Sequence, residues 1–165
     1  MCSRLALLGA AAAVLAASSS AYSQGLIMVR DVSYDIALVM AQTALEHCRQ
    51  DGFKVGVSVV DSGGHVLVTL RDHGAAHHTV ELAQRKAYTS RIFRQTSKEF
   101  SQRLHDNPIS AGLGTTSGVL ASVGGIPIKV GDEVVGGIGV SGAPGGNRDE
   151  ACARAGLAKV ADQLK

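Results

Sequence analysis

The stretch FKVGVSVVDSGGHVLVTLR, residues 53–71, restricts the fold of this chain more than any other segment. Valines alternate with small or polar residues from position 55 to position 59, and apolar residues alternate again from position 66 to position 70. A period of two is typical of a half-buried strand, and the intervening Ser62-Gly63-Gly64 suits a tight turn between antiparallel strands. The stretch therefore predicts a β-hairpin over residues 53–72.

The remaining patterns predict an α+β domain built around this hairpin. They predict helices at 33–50, 77–94 and 97–104, a loop that continues to residue 118, strands at 119–123, 126–130 and 133–141, and a last helix from Asn147. In that last helix Asn147 and Glu150 have the spacing of a capping box. This order favours a single domain in which helices pack on one antiparallel sheet of about five strands.

The first 23 residues have the features of a secretory signal peptide. Arg4 precedes an apolar run from Leu5 to Ala17, and small residues follow where a signal peptidase would cleave. The run is shorter than the roughly 20 apolar residues that span a bilayer. We therefore expect a signal peptide at 1–23, a mature domain at 24–165, a periplasmic or secreted location, and no membrane contact after cleavage.

Charge and cysteine content narrow the range of partners. The 165 residues include 16 Lys and Arg against 14 Asp and Glu, and loss of Arg4 with the signal peptide leaves 15 basic residues. This near-neutral balance predicts no binding to nucleic acid. Cys48 and Cys152 remain after cleavage, in a compartment where a disulfide can form. The sequence leaves open whether they pair.

Residues 136–150, GGIGVSGAPGGNRDE, contain glycines with the spacing of a dinucleotide-binding turn. Such a turn follows a strand, opens a helix and needs a second parallel strand with an acidic residue about 20 positions further on. Only 23 residues follow Gly142, and Gly137 and Gly139 lie within a predicted strand, so the pattern excludes a dinucleotide site. The strand face that holds these two glycines has almost no side chains, which predicts close approach of a helix or of a flat ligand.

Five motifs follow one another in a recognisable order. They are Val60-Asp61-Ser62-Gly63-Gly64-His65, Arg71-Asp72-His73-Gly74-Ala75, Arg85-Lys86-Ala87-Tyr88-Thr89, Gly124-Gly125-Ile126-Pro127-Ile128, and the run from Gly136 to Gly142 with Asp149-Glu150-Ala151-Cys152-Ala153. Together they resemble the GlcG/HbpS family of haem-binding proteins, over about residues 33–164. The resemblance implies a profilin-like domain and assembly into homo-oligomers. It also implies, as in some members, binding of haem or ferric iron with slow, peroxide-dependent haem degradation.

Histidines concentrate at the start of the second predicted helix. His73, His77 and His78 lie in DHGAAHHTVE, residues 72–81. A neutral imidazole is a common ligand of haem iron and other transition metals. His77 and His78 precede Glu81 by four and three residues, so that either could share a helix face with its carboxylate and bind a metal. Among these histidines, His78 is the first candidate haem ligand, because its His-Thr-Val-Glu setting matches relatives of this type best, and His73 is a further candidate.

Arg71 and Lys86 are the candidates to bind carboxylates. A guanidinium forks onto a carboxylate, and an ammonium adds a point charge. Their partners would be the propionates of haem or the carboxylate of a small acid. The sequence contains no Ser-His-Asp signature, CxxC pair, HExxH motif or P-loop that would announce another chemistry.

The leading hypothesis is an exported haem- or iron-binding protein of the GlcG/HbpS type, with haem degradation as its activity. In this hypothesis the macrocycle lies between the second helix and the glycine-bearing face of the sheet. The alternative is an isomerase- or tautomerase-like enzyme that acts on a small oxo or hydroxy carboxylic acid and uses a histidine as general acid or base. A third interpretation is an interaction module without a ligand. A broad apolar cleft would favour haem, and a small polar pocket would favour the enzyme.

Overall fold

The valine alternation forms the strand that the sequence predicts. In the computed structural model, which describes residues 25–165, β1 (Gly56–Val60) pairs with β2 (Val66–Arg71) in an antiparallel hairpin. All residues of β1 are buried, whereas β2 lies at an edge of the sheet and exposes part of its outer face. The turn between the two strands is closed by Asp61, whose carboxylate accepts hydrogen bonds from the backbone N–H groups of Gly63 and His65.

A second hairpin completes the sheet. The strands β3 (Gly125–Val130) and β4 (Glu133–Ser141) pair antiparallel, and β4 also pairs antiparallel with β1, which gives the strand order β2-β1-β4-β3. Pro127 lies in β3, at the other edge of the sheet, where its missing N–H costs no ladder hydrogen bond.

Helices cover both faces of the sheet. They are α1 (Tyr34–Gln50), α2 (His78–Phe93), α3 (Ser97–Asp106) and α4 (Gly146–Lys159). The apolar faces of α1 and α4 pack on one side of the sheet, against Ile138 and Val140 of β4. On the other side α2 packs against the face of β4 that bears glycines. The predicted α+β architecture with one antiparallel sheet is confirmed.

The predicted strand at 119–123 is wrong, so the sheet has four strands among residues 25–165 instead of about five. The reason lies in two side chains of α2. The hydroxyl of Thr89 accepts a hydrogen bond from the backbone N–H of Leu120 at 2.8 Å, and Arg85 donates to the carbonyl of Val119 at 2.8 Å. Two backbone groups of this segment therefore bond to a helix, and the segment is not part of the sheet.

Two further local predictions need correction. The expected loop before residue 118 contains a 3₁₀ helix, Pro108–Thr115. The capping box at the start of the last helix does not form, since α4 begins at Gly146, its N-cap is Gly145, and no side chain caps it. Glu150, which would have closed that box, instead bonds to Arg154 one turn further along α4.

Cys48 on α1 and Cys152 on α4 form a disulfide. Their Cα atoms are 5.5 Å apart and they are separated by 104 positions in the chain. The bond joins the first helix to the last helix and answers the question that the sequence left open. Within residues 25–165, no helix has the length and apolar character needed to cross a membrane. The predicted signal peptide lies outside these described residues.

Candidate functional site

The loop that bears the predicted site residues, residues 72–77, is tied down by its own backbone. The N–H of Asp72 bonds to the carbonyl of Val55, and the N–H of Ala75 bonds to the carbonyl of Asp72. Gly74, at φ +80°, allows the reversal between them. The guanidinium of Arg71 donates to the carbonyl of Ala75 and so braces the loop from its start.

Arg49 of α1 holds the same loop from the opposite side. Its Nε and Nη2 atoms donate to the two carboxylate oxygens of Asp72 at 3.1 and 3.0 Å, in a two-pronged contact. This hydrogen bonding from Arg49 holds the pKa of the Asp72 carboxyl below its usual range. The carboxylate also accepts the N–H of His73 at 2.7 Å. Arg49 could not be predicted as part of this loop from the sequence, because no local pattern connects it with a residue 23 positions away.

The three candidate histidines lie on this braced loop or directly after it. His73 follows Asp72, His77 precedes α2, and His78 is the first residue of α2. All three are exposed, and within residues 25–165 none of their imidazoles forms a hydrogen bond or an ion pair. The backbone around them is therefore fixed, whereas their ring nitrogens are free to bind a ligand.

A metal site with several protein ligands differs from haem binding, because it needs several side chains close together. Among the described residues, no three His, Cys, Asp or Glu side chains are close enough together to hold a metal ion. The carboxylate of Glu81 instead forms an exposed ion pair with Arg85 at 3.4 Å. What the loop offers is single imidazoles of the kind that ligate haem iron, in which the porphyrin supplies the other nitrogens.

Lys86 lies away from this loop, in the interior. Only 4% of its side chain is exposed, and its Nζ donates to Asp149 Oδ2 at 2.8 Å and to the carbonyl of Val140 at 3.0 Å. The other oxygen of Asp149 accepts the N–H of Ala143 at 2.9 Å. Burial raises the pKa of the Asp149 carboxyl, and the bond from Lys86 opposes that rise. Lys86 thus has a carboxylate partner within the chain, where it links α2, β4 and α4.

A small cavity beside His73 gathers charged groups that the sequence did not single out. It has a volume of about 300 Å³ and is lined by Arg49, Gly52, Phe53, Lys54, Asp72 and His73. The guanidinium of Arg148 lies 5.2 Å from the centre of the Phe53 ring, over its face. A ligand with carboxylates at this place would meet Lys54 and Arg49 next to an imidazole. In the sequence, the position of Phe53 and Lys54 at the start of the first hairpin was the one feature that could have indicated this cavity.

The glycine-bearing face of β4 is filled by α2. A Cβ at Gly139 would overlap the carbonyl oxygen of Ala83, and a Cβ at Gly137 would overlap that of Ala87. The predicted close approach of a helix is therefore confirmed. The hypothesis that a macrocycle lies between α2 and this face is wrong, because the two backbones leave no room for it.

Comparisons with known proteins place the chain among proteins connected with haem. Residues 32–158 match the family described as haem degrading protein HbpS-like. Protein GlcG of Escherichia coli K12 is 28% identical over 111 residues, which cover 67% of this chain and 81% of that protein. The crystal structure of a double mutant of HbpS from Streptomyces reticuli has a TM-score of 0.80 and 36% identity, covering 92% of this chain and 99% of that one.

A third relative was crystallised with its ligand. The structure of the PduOC:heme complex has a TM-score of 0.68 and 26% identity, and the match covers 77% of this chain and 93% of that one. The two structures therefore share their fold along most of their length.

Proposed function

Since this chain belongs to the HbpS-like family of haem degrading proteins, we propose that it binds haem through a histidine of the braced loop. The observation that carries the proposal is the arrangement of residues 72–78, in which three exposed imidazoles stand on a fixed backbone. A loop held in this way limits the conformational entropy that is lost when the ligand binds. The haem complex of PduOC, a protein of the same fold, supports the choice of ligand.

His78 and His73 are the proposed axial ligands, with different surroundings. His78 stands at the first position of α2. His73 borders the small cavity, where Lys54 would meet a propionate. Arg71 is the further candidate for a propionate, because its guanidinium is exposed and uses one donor on Ala75.

A haemin titration followed by absorption spectroscopy tests this proposal. We expect a saturable shift of the Soret band with about one haem per chain, lost in either His78→Ala or His73→Ala. The matched control is His105→Ala, which removes another exposed imidazole on α3 and should leave the titration unchanged. No saturable shift in the unaltered protein, or an unchanged titration in all variants of the loop including His77→Ala, would overturn the proposal.

We further propose that the protein degrades the haem it binds, as the family description indicates. Bound haem would bring an iron centre that reacts with peroxide, and the protein would supply the ligand that holds it. The test is the loss of the Soret band and the release of iron after addition of hydrogen peroxide. The rate should differ from that of free haemin and should return to it in the variant that no longer binds haem. Equal rates for bound and free haemin would contradict a degrading activity.

We also propose that the protein is exported to an oxidising compartment, the periplasm or the exterior. The support is the disulfide between Cys48 and Cys152 together with the signal-like sequence at 1–23. Expression of the full chain should yield a processed protein in the periplasmic fraction, without free thiols at Cys48 and Cys152. An unprocessed protein retained in the cytoplasm would contradict the proposal.

A further inference from the structure

A second cavity lies where α2 ends. Its volume is about 600 Å³, and three basic side chains from three different elements line it. Arg94 follows the last residue of α2, Lys129 belongs to β3, and Arg154 belongs to α4. The histidine loop precedes the start of α2, so the cavity and the histidines belong to opposite ends of this helix.

The carboxylates close to these cations already have partners. Glu99 accepts hydrogen bonds from the N–H and the hydroxyl of Thr96, at 2.7 and 2.8 Å, as part of the capping box of α3. Glu150 is bonded to Arg154 through Oε1, whereas its buried Oε2 has no hydrogen-bond partner among the described residues. Within residues 25–165, Arg94 and Lys129 form no ion pair. Two exposed cations without an ion pair therefore remain at the cavity, and the Glu99 carboxylate belongs to the same lining.

Arg94 adopts a backbone conformation that suits glycine. Its φ is 55°, and among the described residues it is the only non-glycine residue with a positive φ. It occupies the position after the last turn of α2, where glycine is usual because a Cβ is strained in the left-handed region. Arginine is a poor residue for the fold at this position, so a role for its side chain would explain its presence.

The floor of the cavity is partly polar and partly apolar. The Nε2 atom of Gln95 is buried and has no hydrogen-bond partner, although a buried amide normally has one. Ile126 and Pro127 of β3 contribute buried apolar surface next to it. An inorganic oxyanion would use the charges and leave this apolar surface without a contact. An organic acid would use both.

We propose that this cavity binds a small organic dicarboxylate. Arg94 and Lys129 each meet one carboxylate, Gln95 Nε2 donates to an oxygen of the ligand, and the carbon skeleton lies over Ile126 and Pro127. Because the two cations belong to different elements, a ligand with two carboxylates can pair with both of them, whereas a ligand with a single carboxylate pairs with one. The site is independent of the proposed haem ligands and uses none of their residues.

Calorimetric titration of the purified protein with succinate, acetate and inorganic phosphate tests the proposal. We expect saturable binding of succinate at about one per chain, and weaker binding of the other two anions. Lys129→Gln should weaken succinate binding by at least about tenfold, the loss of one charged hydrogen bond. Lys159→Gln, which removes an exposed cation of α4 outside this cavity, is the matched control and should leave the affinity unchanged.

The Arg94→Gly variant distinguishes a loss of succinate binding from a loss of stability. Because glycine tolerates a positive φ, this variant should melt about 2–4 °C higher while it loses at least about tenfold in succinate affinity. Its haemin titration should equal that of the unaltered protein, so that failure of this site and failure of the haem proposal are told apart. Absence of saturable succinate binding, phosphate binding as tight as succinate binding, or unchanged affinity in both Arg94→Gly and Lys129→Gln would overturn the proposal.

Discussion

The buried ion pair of Lys86 stabilises the folded protein whether or not a ligand is bound. The side chains of Lys86 and Asp149 are 4% and 5% exposed. They form an ion pair in which Nζ of Lys86 lies 2.8 Å from Oδ2 of Asp149. Lys86→Met leaves a buried carboxylate with one fewer donor and should lower the free energy of unfolding by about 3–5 kcal/mol. Urea denaturation followed by circular dichroism measures the change.

The double variant Lys86→Met with Asp149→Asn provides the control for this prediction. Because it removes both charges, it should be destabilised by less than the sum of the two single variants. Strict additivity of the three measurements would mean that the two groups do not interact, and would contradict the prediction.

Asp72 should make the free energy of unfolding lower at acidic pH than at neutral pH. Its pKa is lowered, chiefly by the hydrogen bonds from Arg49, so the ionised form is favoured in the folded state. The resulting stabilisation is complete above the unfolded pKa of about 3.9 and is lost as the pH falls through the lower folded pKa. Asp72→Asn should therefore be less stable than the unaltered protein at pH 7, and the difference should shrink below about pH 4.

Denaturation with urea between pH 2.5 and pH 7 checks the predicted difference. Asp162→Asn serves as the control, because Asp162 is exposed and forms no ion pair within residues 25–165. A gap between Asp72→Asn and the unaltered protein that stays constant down to pH 2.5 would show that Asp72 does not contribute through its charge.

Single residues show what a sequence can and cannot predict about a site. His73, His77 and His78 could be singled out because they cluster within one short segment. The partner of Lys86 could not, because Asp149 is 63 positions away and local spacing carries no information about it. Arg94 could not be recognised either, since its meaning depends on a backbone angle that arginine rarely adopts.

The contact between α2 and β4 depends on the absence of side chains on one strand face. A methyl group at Gly139 would overlap the carbonyl of Ala83 in α2, so the helix would have to move away from the sheet. Gly139→Ala should therefore destabilise the protein by about 1–3 kcal/mol, or more if the helix cannot shift. Gly112→Ala is the control, since a Cβ at Gly112 meets no atom within 4 Å. Equal melting temperatures for the two variants would contradict this account of the glycines.

The two hairpins could be predicted because a period of two and a short turn are local properties of the sequence. The segment 119–123 has a strand-like composition, yet Thr89 and Arg85 bond to its backbone. The predicted capping box at the start of α4 fails for a similar reason. Asn147 and Glu150 have the right spacing for a cap, but Glu150 is bonded to Arg154. In each case a contact formed in the folded protein overrides a local preference.

Within residues 25–165, a short apolar segment near the start of the described chain is exposed. Leu26, Ile27, Met28 and Val29 are 80%, 87%, 100% and 60% exposed, four residues before the first helix begins at Tyr34. An exposed run of this kind is typical of a surface that contacts another protein. The resemblance described above implies assembly into homo-oligomers, and we propose that copies of this chain meet through this segment. We expect the protein to be larger than one chain by light scattering coupled to size-exclusion chromatography.

Replacement of Leu26, Ile27 and Met28 by serine should reduce the measured mass towards that of a single chain. The secondary structure should remain intact, because these side chains contribute nothing to the core. Ile109→Ser is the matched control, since Ile109 is 96% exposed in a different part of the molecule and its loss should leave the mass unchanged. A single-chain mass for the unaltered protein would contradict self-assembly. An unchanged mass of the triple variant would contradict a role for this segment, because an oligomer that forms without these side chains must be held together by another surface.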